Sequence, residues 1–284
     1  MIKNFKAIYL TYFSLLLGLP LSTAHAQIVE LCGHSAQGEL LVGHAPEGTE
    51  HAFLDDTELT VLPDGSFLFA FGRDAKEDHT LQLATADNIE TFSLNIKKTP
   101  WDIQKINGVP PRKVEPTDLD LRKINQEHDD LQRALSYHTQ TPFWQKGFIM
   151  PVTKGRTSGN FGGQRIMNGI KKSPHRGLDI AAPENSPVYA SADGIVTLSG
   201  GDYYYTGNVV VIDHGQNLST ISAHLKGATV KKGDKVKQGD IIGHVGKTGR
   251  ATGPHLHWGA SLNGTRFQPL SLLKIGDKSF CSNI

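Results

Sequence analysis

"TGRATGPHLHWGASL", Thr248 to Leu262, sets two histidines one residue apart between a Gly-Pro turn and a tryptophan. In a β-strand, residues i and i+2 face the same way, so His255 and His257 project side by side. Gly253 and Gly259 flank them. A lone histidine is most often a satisfied core or surface group, but two on one strand face can hold a metal. The question is which other side chains join them.

Upstream, "SPHRGLDIAAP" (173–183) carries His175 and Asp179 with Gly177 between them. On a helix, or in a turn running into a strand, that spacing brings imidazole and carboxylate together. Both are suited to zinc, although a local His–Asp hydrogen bond is the plainer alternative. Taken with the His-x-His pair, they make a three-ligand site with an open fourth position, the pattern of a catalytic zinc. The chain has neither the Cys-rich spacing of a structural zinc nor a His-Glu-x-x-His helix. Proton handling therefore falls to other histidines, and "STISAHLKG" (219–227) offers His224 after an alternating apolar run. His214 and His244 suit turn or packing roles.

Composition is that of an ordinary globular protein: 284 residues, 38% hydrophobic, 20% charged, net charge +1. It suggests about two domains, and no long-range field marks nucleic acid as a partner. Lys3 and Lys6 followed by an apolar run and Ala24-x-Ala26 read as a secretory signal peptide over 1–26, cut after Ala26. No second apolar stretch of spanning length follows, so the mature chain is expected in the periplasm or secreted, with no stable membrane span after cleavage. Export turns Cys32 and Cys281 into candidates for a disulfide joining the two ends.

The fold class expected is mainly β. Residues 27–100 read as a small N-terminal β-sandwich, with "HAFL", "ELTVL", "SFLFAF", "TLQLAT" and "TFSLNI" as short strands. Pro63-Asp64-Gly65 makes a turn, after which Phe67, Phe69 and Phe71 share one face. Residues 101–142 read as a Pro/Lys-rich linker followed by a helix over about 118–137. Thr117 and Asp120 cap that helix, and Leu121, Ile124, Leu131 and Leu135 line it with His128 in the intervening turn. Residues 143–284 form an antiparallel β domain with Gly-rich turns. "GGDYYYTGN" (200–208) is read as surface strand, with Tyr204 or Tyr205 as alternative substrate contacts. Arg165, in the Gly-rich stretch before the first ligand, is open to a substrate carboxylate or a structural ion pair.

His175-x-x-x-Asp179, Ala223-His224-Leu225 and His255-x-His257, in that order over roughly residues 145–275, resemble the LytM/lysostaphin-type zinc endopeptidases of bacterial cell walls. The N-terminal β region is similar to that of Gram-negative members. The resemblance implies that His175, Asp179 and His257 bind one Zn2+ and that His224 and His255 act as catalytic histidines. It implies a metalloendopeptidase acting on peptidoglycan stem peptides or cross-links. The N-terminal domain is open to three roles: positioning the enzyme, docking a cell-wall protein partner, or covering the cleft before activation. The alternatives are a non-catalytic wall-binding regulator of amidases and a secreted protease of broader range.

Overall fold

The computed structural model describes residues 29–284, so the leader expected over 1–26 lies outside them. Seven strands open the described chain: β1 (Glu30–Cys32), β2 (Leu40–His44), β3 (His51–Leu54), β4 (Thr57–Leu59), β5 (Ser66–Ala70), β6 (Asp78–Ala84) and β7 (Ile89–Asn95). One sheet runs β1-β2-β5 and a second β4-β3-β6-β7, all antiparallel. The turn into β5 is held by Asp64, whose Oδ1 accepts hydrogen bonds from the Ser66 amide and hydroxyl at 3.0 and 2.6 Å. Phe67, Phe69 and Phe71 then fill the core between the sheets with Leu81, Leu83 and Leu94. Leu68 points the other way and is buried as well, with Leu40 and Val42, in the core of the C-terminal half. This first sheet is thus covered on both faces, which is why its strands read as nearly unbroken apolar runs.

The linker contains a strand, β8 (Ile103–Ile106), a one-turn helix α1 (Pro111–Val114) and the long helix α2 (Asp118–Ser136). A capping box starts α2: Thr117 Oγ1 accepts from the Asp120 amide, and the Asp120 carboxylate accepts from the Thr117 amide. The apolar face expected for this helix is only half used. Leu131, Ala134 and Leu135 pack on the C-terminal sheet, but Leu121 is 44% exposed and His128 faces solvent. The N-terminal half of α2 is held by polar contacts instead. Lys123 Nζ donates to the Asp202 carbonyl at 2.9 Å, and Glu127 Oε2 accepts from the Tyr204 amide at 2.7 Å. Among the described residues no helix is long and apolar enough to cross a membrane.

The C-terminal half comprises β9 (Arg156–Gly159), β10 (Gln164–Met167), β11 (Ile170–Lys171), β12 (Leu178–Ala181), β13 (Pro187–Tyr189), β14 (Gly194–Tyr203), β15 (Gly207–Asp213), β16 (Leu218–Ala228), β17 (Lys235–Val236), β18 (Ile241–Val245), β19 (His255–Leu262) and β20 (Thr265–Phe267). Its main sheet runs β17-β14-β15-β16-β19-β12-β9, with β18 also on β16, β13 on β18 and β20 on β19. β10 and β11 form a separate small sheet with β8, which lies parallel to β10. The linker strand is therefore bonded to the segment just before His175. α2 lies across Val209, Val211, Ile221 and Ala223 of β15 and β16.

The last strand, β21 (Cys281–Asn283), leaves the segment expected as 143–284 and pairs antiparallel with β1, completing the N-terminal sheet. Cys32 stands opposite Cys281 in that ladder and the two form a disulfide across 249 positions of sequence.

His214 is fully buried, bonded through Nδ1 to the Asp193 carbonyl at 2.7 Å and through Nε2 to Thr220 Oγ1 at 2.8 Å. Burial pushes its pKa down to about 4, whereas an unfolded histidine titrates near ~6.5. Between those values the unfolded chain binds more protons. This residue's stabilisation is thus complete above about pH 6.5 and falls as the pH drops, by at most roughly 3 kcal/mol. Urea titrations between about pH 7 and about pH 4.5 are expected to show a shallower pH dependence in His214→Gln than in the unsubstituted chain. Replacing Cys32 and Cys281 by serine is expected to cost on the order of 2–5 kcal/mol, read by calorimetry as a lowered Tm that reductant no longer changes.

Candidate metal centre

Asp179 and His257 are direct cross-strand neighbours on β12 and β19, so their side chains share a face. His257 Nδ1 lies 2.8 Å from Asp179 Oδ1. His175 enters from the loop before β12, its backbone pinned by hydrogen bonds from Gly162 N to its carbonyl and from its own N to Gly163 O, both 2.9 Å. Its Nε2 stands 3.0 Å from Asp179 Oδ1 and 3.0 Å from His257 Nδ1. Gly177 makes this approach feasible, since a Cβ there would fall 2.7 Å from the His257 ring. Asp179, His175 and His257 are the three candidate ligands named from sequence, and their donor atoms meet at one point.

The donor chemistry at that point fits a cation. The Asn160 carbonyl, 2.9 Å from His175 Nδ1, can only accept, so the Nδ1 proton is engaged there. In the neutral ring Nε2 then carries a lone pair aimed at a carboxylate oxygen, an arrangement that a proton or a metal ion between them relieves. Burial works against the Asp179 charge, but the imidazoles of His175 and His257 set against Oδ1 outweigh it and hold the carboxyl well below the usual range. Burial pushes His257 down to about 4, which keeps the ring neutral and able to donate a lone pair.

The second carboxylate oxygen, Oδ2, is held by the Arg165 guanidinium. Of the two readings open for Arg165, the structure places it in this ion pair, with only Oδ1 left facing the histidines. Arg165 is steadied from the linker strand, where Gln104 Oε1 accepts from its Nε at 3.4 Å. A parallel tie runs from Asp102 Oδ2 to Asn160 Nδ2 at 3.1 Å. Sequence reasoning missed Asn160, Asp102 and Gln104. Asn160 acts through its backbone carbonyl, which leaves no trace in residue identity, and the other two lie in a stretch that reads as linker.

His255 and His224 stand beside the three. The His255 Nδ1–H donates to the Gly253 carbonyl at 2.9 Å, and its Nε2 is 3.8 Å from Asp179 Oδ1. His224 reaches the group by a backbone irregularity. Ala223 pairs with His257 and so faces the centre; in a regular strand His224 would point away from it. A bulge places Ala223 and His224 together opposite Val209, and His224 takes φ +62°. Histidine is among the residues that adopt this left-handed conformation more readily. The ring then lies 4.6 Å from that of His255 and 5.9 Å from that of His257. The Thr248 carbonyl accepts its Nδ1–H at 2.9 Å. Burial, reinforced by His255 and His257, lowers its pKa to about 3.

The tyrosines divide. Tyr204 is buried rather than on the surface: its hydroxyl donates to the Arg112 carbonyl and Lys113 Nζ sits 3.8 Å over its ring, which ties it to the linker. Tyr205 lies under the Arg250 guanidinium at 4.1 Å. Beside His255, a shallow depression of about 610 Å³ is lined by Lys154, Arg156, Ala181, Pro183 and Pro254.

The family model "Peptidase family M23" matches residues 173–269. Over 147 residues the chain is 40% identical to the peptidoglycan DD-endopeptidase ShyA of Vibrio cholerae, covering 51% of this chain and 31% of that one. Over 98 residues it is 47% identical to the DD-carboxypeptidase/endopeptidase Mpg of Neisseria meningitidis, covering 34% of this chain and 22% of that one. The chain thus spans less than a third of the length of these curated relatives. A crystal structure from Pseudomonas aeruginosa attributed to peptidase M23 superposes with TM-score 0.67 at 27% identity, over 85% of this chain and 96% of that one. The segment that holds all five converging side chains, residues 173–269, is a peptidase family M23 domain.

Proposed function

We propose that this chain is an exported zinc endopeptidase that hydrolyses peptide bonds in peptidoglycan stem peptides or cross-links. The observation that carries the reading is the meeting of His175 Nε2, Asp179 Oδ1 and His257 Nδ1 within 3.0 Å of one another, with two further imidazoles alongside. On this reading residues 1–26 are a removed leader, 27–100 a β domain, 101–142 a linker with its helix and 143–284 the catalytic unit. Contact with a cell-wall protein partner falls to the outer sheet β4-β3-β6-β7, because the other N-terminal sheet is buried on both faces.

One Zn2+ held by His175, Asp179 and His257 would supply Lewis acidity, which acidifies water and polarises a carbonyl group. The protein's own contribution is orientation and proton transfer. The Asn160 carbonyl fixes the His175 tautomer, and Arg165 keeps one carboxylate oxygen of Asp179 away from the centre. His224 and His255 are each tied through Nδ1 to a backbone carbonyl. In both neutral rings this leaves Nε2 as the atom that takes a proton from water or returns it to the leaving amine. The bulge at His224 holds a residue in a strained conformation for that purpose.

Alanine at His175, Asp179 or His257 is expected to weaken zinc binding by at least about 100-fold, measured by chelator competition. His224→Ala and His255→Ala are expected to keep zinc within a few-fold while turnover drops roughly 10²–10⁴-fold. Mass spectrometry of muropeptides released from purified sacculi, with and without chelator, reads both. Wild-type release by either histidine variant would remove that residue from the mechanism. Release unaffected by chelator, or none at all, would overturn the enzyme reading.

A further inference from the structure

The sheet face that bears the five side chains continues into a second polar row. β19 presents His257, Gly259 and Ser261 in succession on that face. Ser261 pairs with Arg266 on β20 and with Ser219 on β16, and Ser219 pairs with Asp213 on β15. A row Asp213–Ser219–Ser261–Arg266 therefore crosses four strands, parallel to the row Ala223–His257–Asp179. Between the two rows lie Ile221 and Gly259, themselves paired.

Arg266 reaches back over this gap toward the metal centre. A Cβ at Gly259 would lie 3.5 Å from Arg266 Nη1 and 3.5 Å from the Arg176 carbonyl oxygen. The guanidinium thus stands over a glycine, one strand repeat of about 7 Å from His257. Among the described residues no carboxylate compensates it: burial, and then repulsion from Arg176, lower its pKa to about 10, with no acidic group there acting the other way. Asp213, at the far end of the row, is engaged with the Thr139 and Gly215 amides. The Ser261 and Ser219 hydroxyls are buried without a hydrogen-bond partner among the described residues. A half-buried, uncompensated guanidinium beside two unsatisfied buried hydroxyls destabilises a fold, and such groups gather where a ligand completes them.

We propose that Arg266, with Ser261 beside it, forms a carboxylate subsite of the cleft, receiving a carboxylate of the substrate peptide within about two residues of the bond cut. This rests on the endopeptidase reading above and adds a requirement on the substrate: negative charge on one side of the scissile bond. The carboxylate is either a chain terminus or an acidic side chain, and the two sources separate experimentally.

The test uses the zinc-loaded chain and an acylated peptide containing two consecutive D-residues and one acidic side chain. The peptide is made as the free acid, as the C-terminal amide, and with the side-chain carboxylate replaced by carboxamide. One of the two neutralised peptides is expected to lose about 10–100-fold in kcat/KM. Arg266→Gln is expected to impose a similar loss on the fully charged peptide and to change that neutralised peptide by less than about two-fold. The variant's Tm is expected to stay level or rise, because an uncompensated charge is removed; a purely structural arginine would lower it. Equal losses on all peptides, or no effect of neutralisation on the unsubstituted chain, would overturn the subsite. If the unsubstituted chain cuts none of the peptides, the endopeptidase reading fails for them. Calorimetric binding of the same three peptides then decides: a charge-dependent affinity lost in Arg266→Gln supports the subsite, and indifference to charge or to the substitution sinks it.

Discussion

Asp179 and His257 face each other across β12 and β19, and that register is maintained from the opposite side of the sheet. Leu178 and Ile180 on one strand, and Leu256 and Trp258 on the other, point into the core and are 0–3% exposed. Sliding either strand by one residue would turn its core residues out and its ligand in. Exposing two such side chains costs on the order of 5 kcal/mol. The polar chemistry on one face is therefore held in place by apolar burial on the other. Arg165, Asn160 and the backbone carbonyls adjust ring angles and oxygen choice within a frame the core has already set.

Period-two alternation made the His255–His257 face legible from sequence, and the same rule located the phenylalanine face of β5. Three things were not legible. The aim of His224 depends on an extra residue in β16 relative to β15, and no local pattern in "STISAHLKG" announces it. The tautomers of His175, His224 and His255 are fixed by main-chain carbonyls of Asn160, Thr248 and Gly253, which any residue could supply. β8 lies in a Pro/Lys-rich stretch and gains its strand character only by pairing with β10, some sixty positions away. Helix α2 was legible at its cap, where the signal is local. Its packed face was misjudged because only its C-terminal half reaches the sheet.

The parts named as separate units share their interior. Leu40, Val42 and Leu68 of the N-terminal sheet are buried with Phe267 and Leu272 of the C-terminal half. Trp101 packs edge-on against Phe161, and Arg73 Nε donates to the Gly162 carbonyl at 2.6 Å, next to the glycine that accepts from His175 N. The N-terminal region thus braces the loop that delivers His175, and a chain cut after the linker would lose those braces along with the domain.

The pairing of β1 with β21 imposes an order of events on biosynthesis. The first strand described here is made well before its neighbour, which follows it by 249 positions at the paired cysteines. Until then β1 offers an open edge, with Cys32 waiting as an unpaired thiol. Every nascent chain passes through that interval, so a chain stopped before β21 has an unfinished sheet whose exposed rim can capture the same strand from another copy.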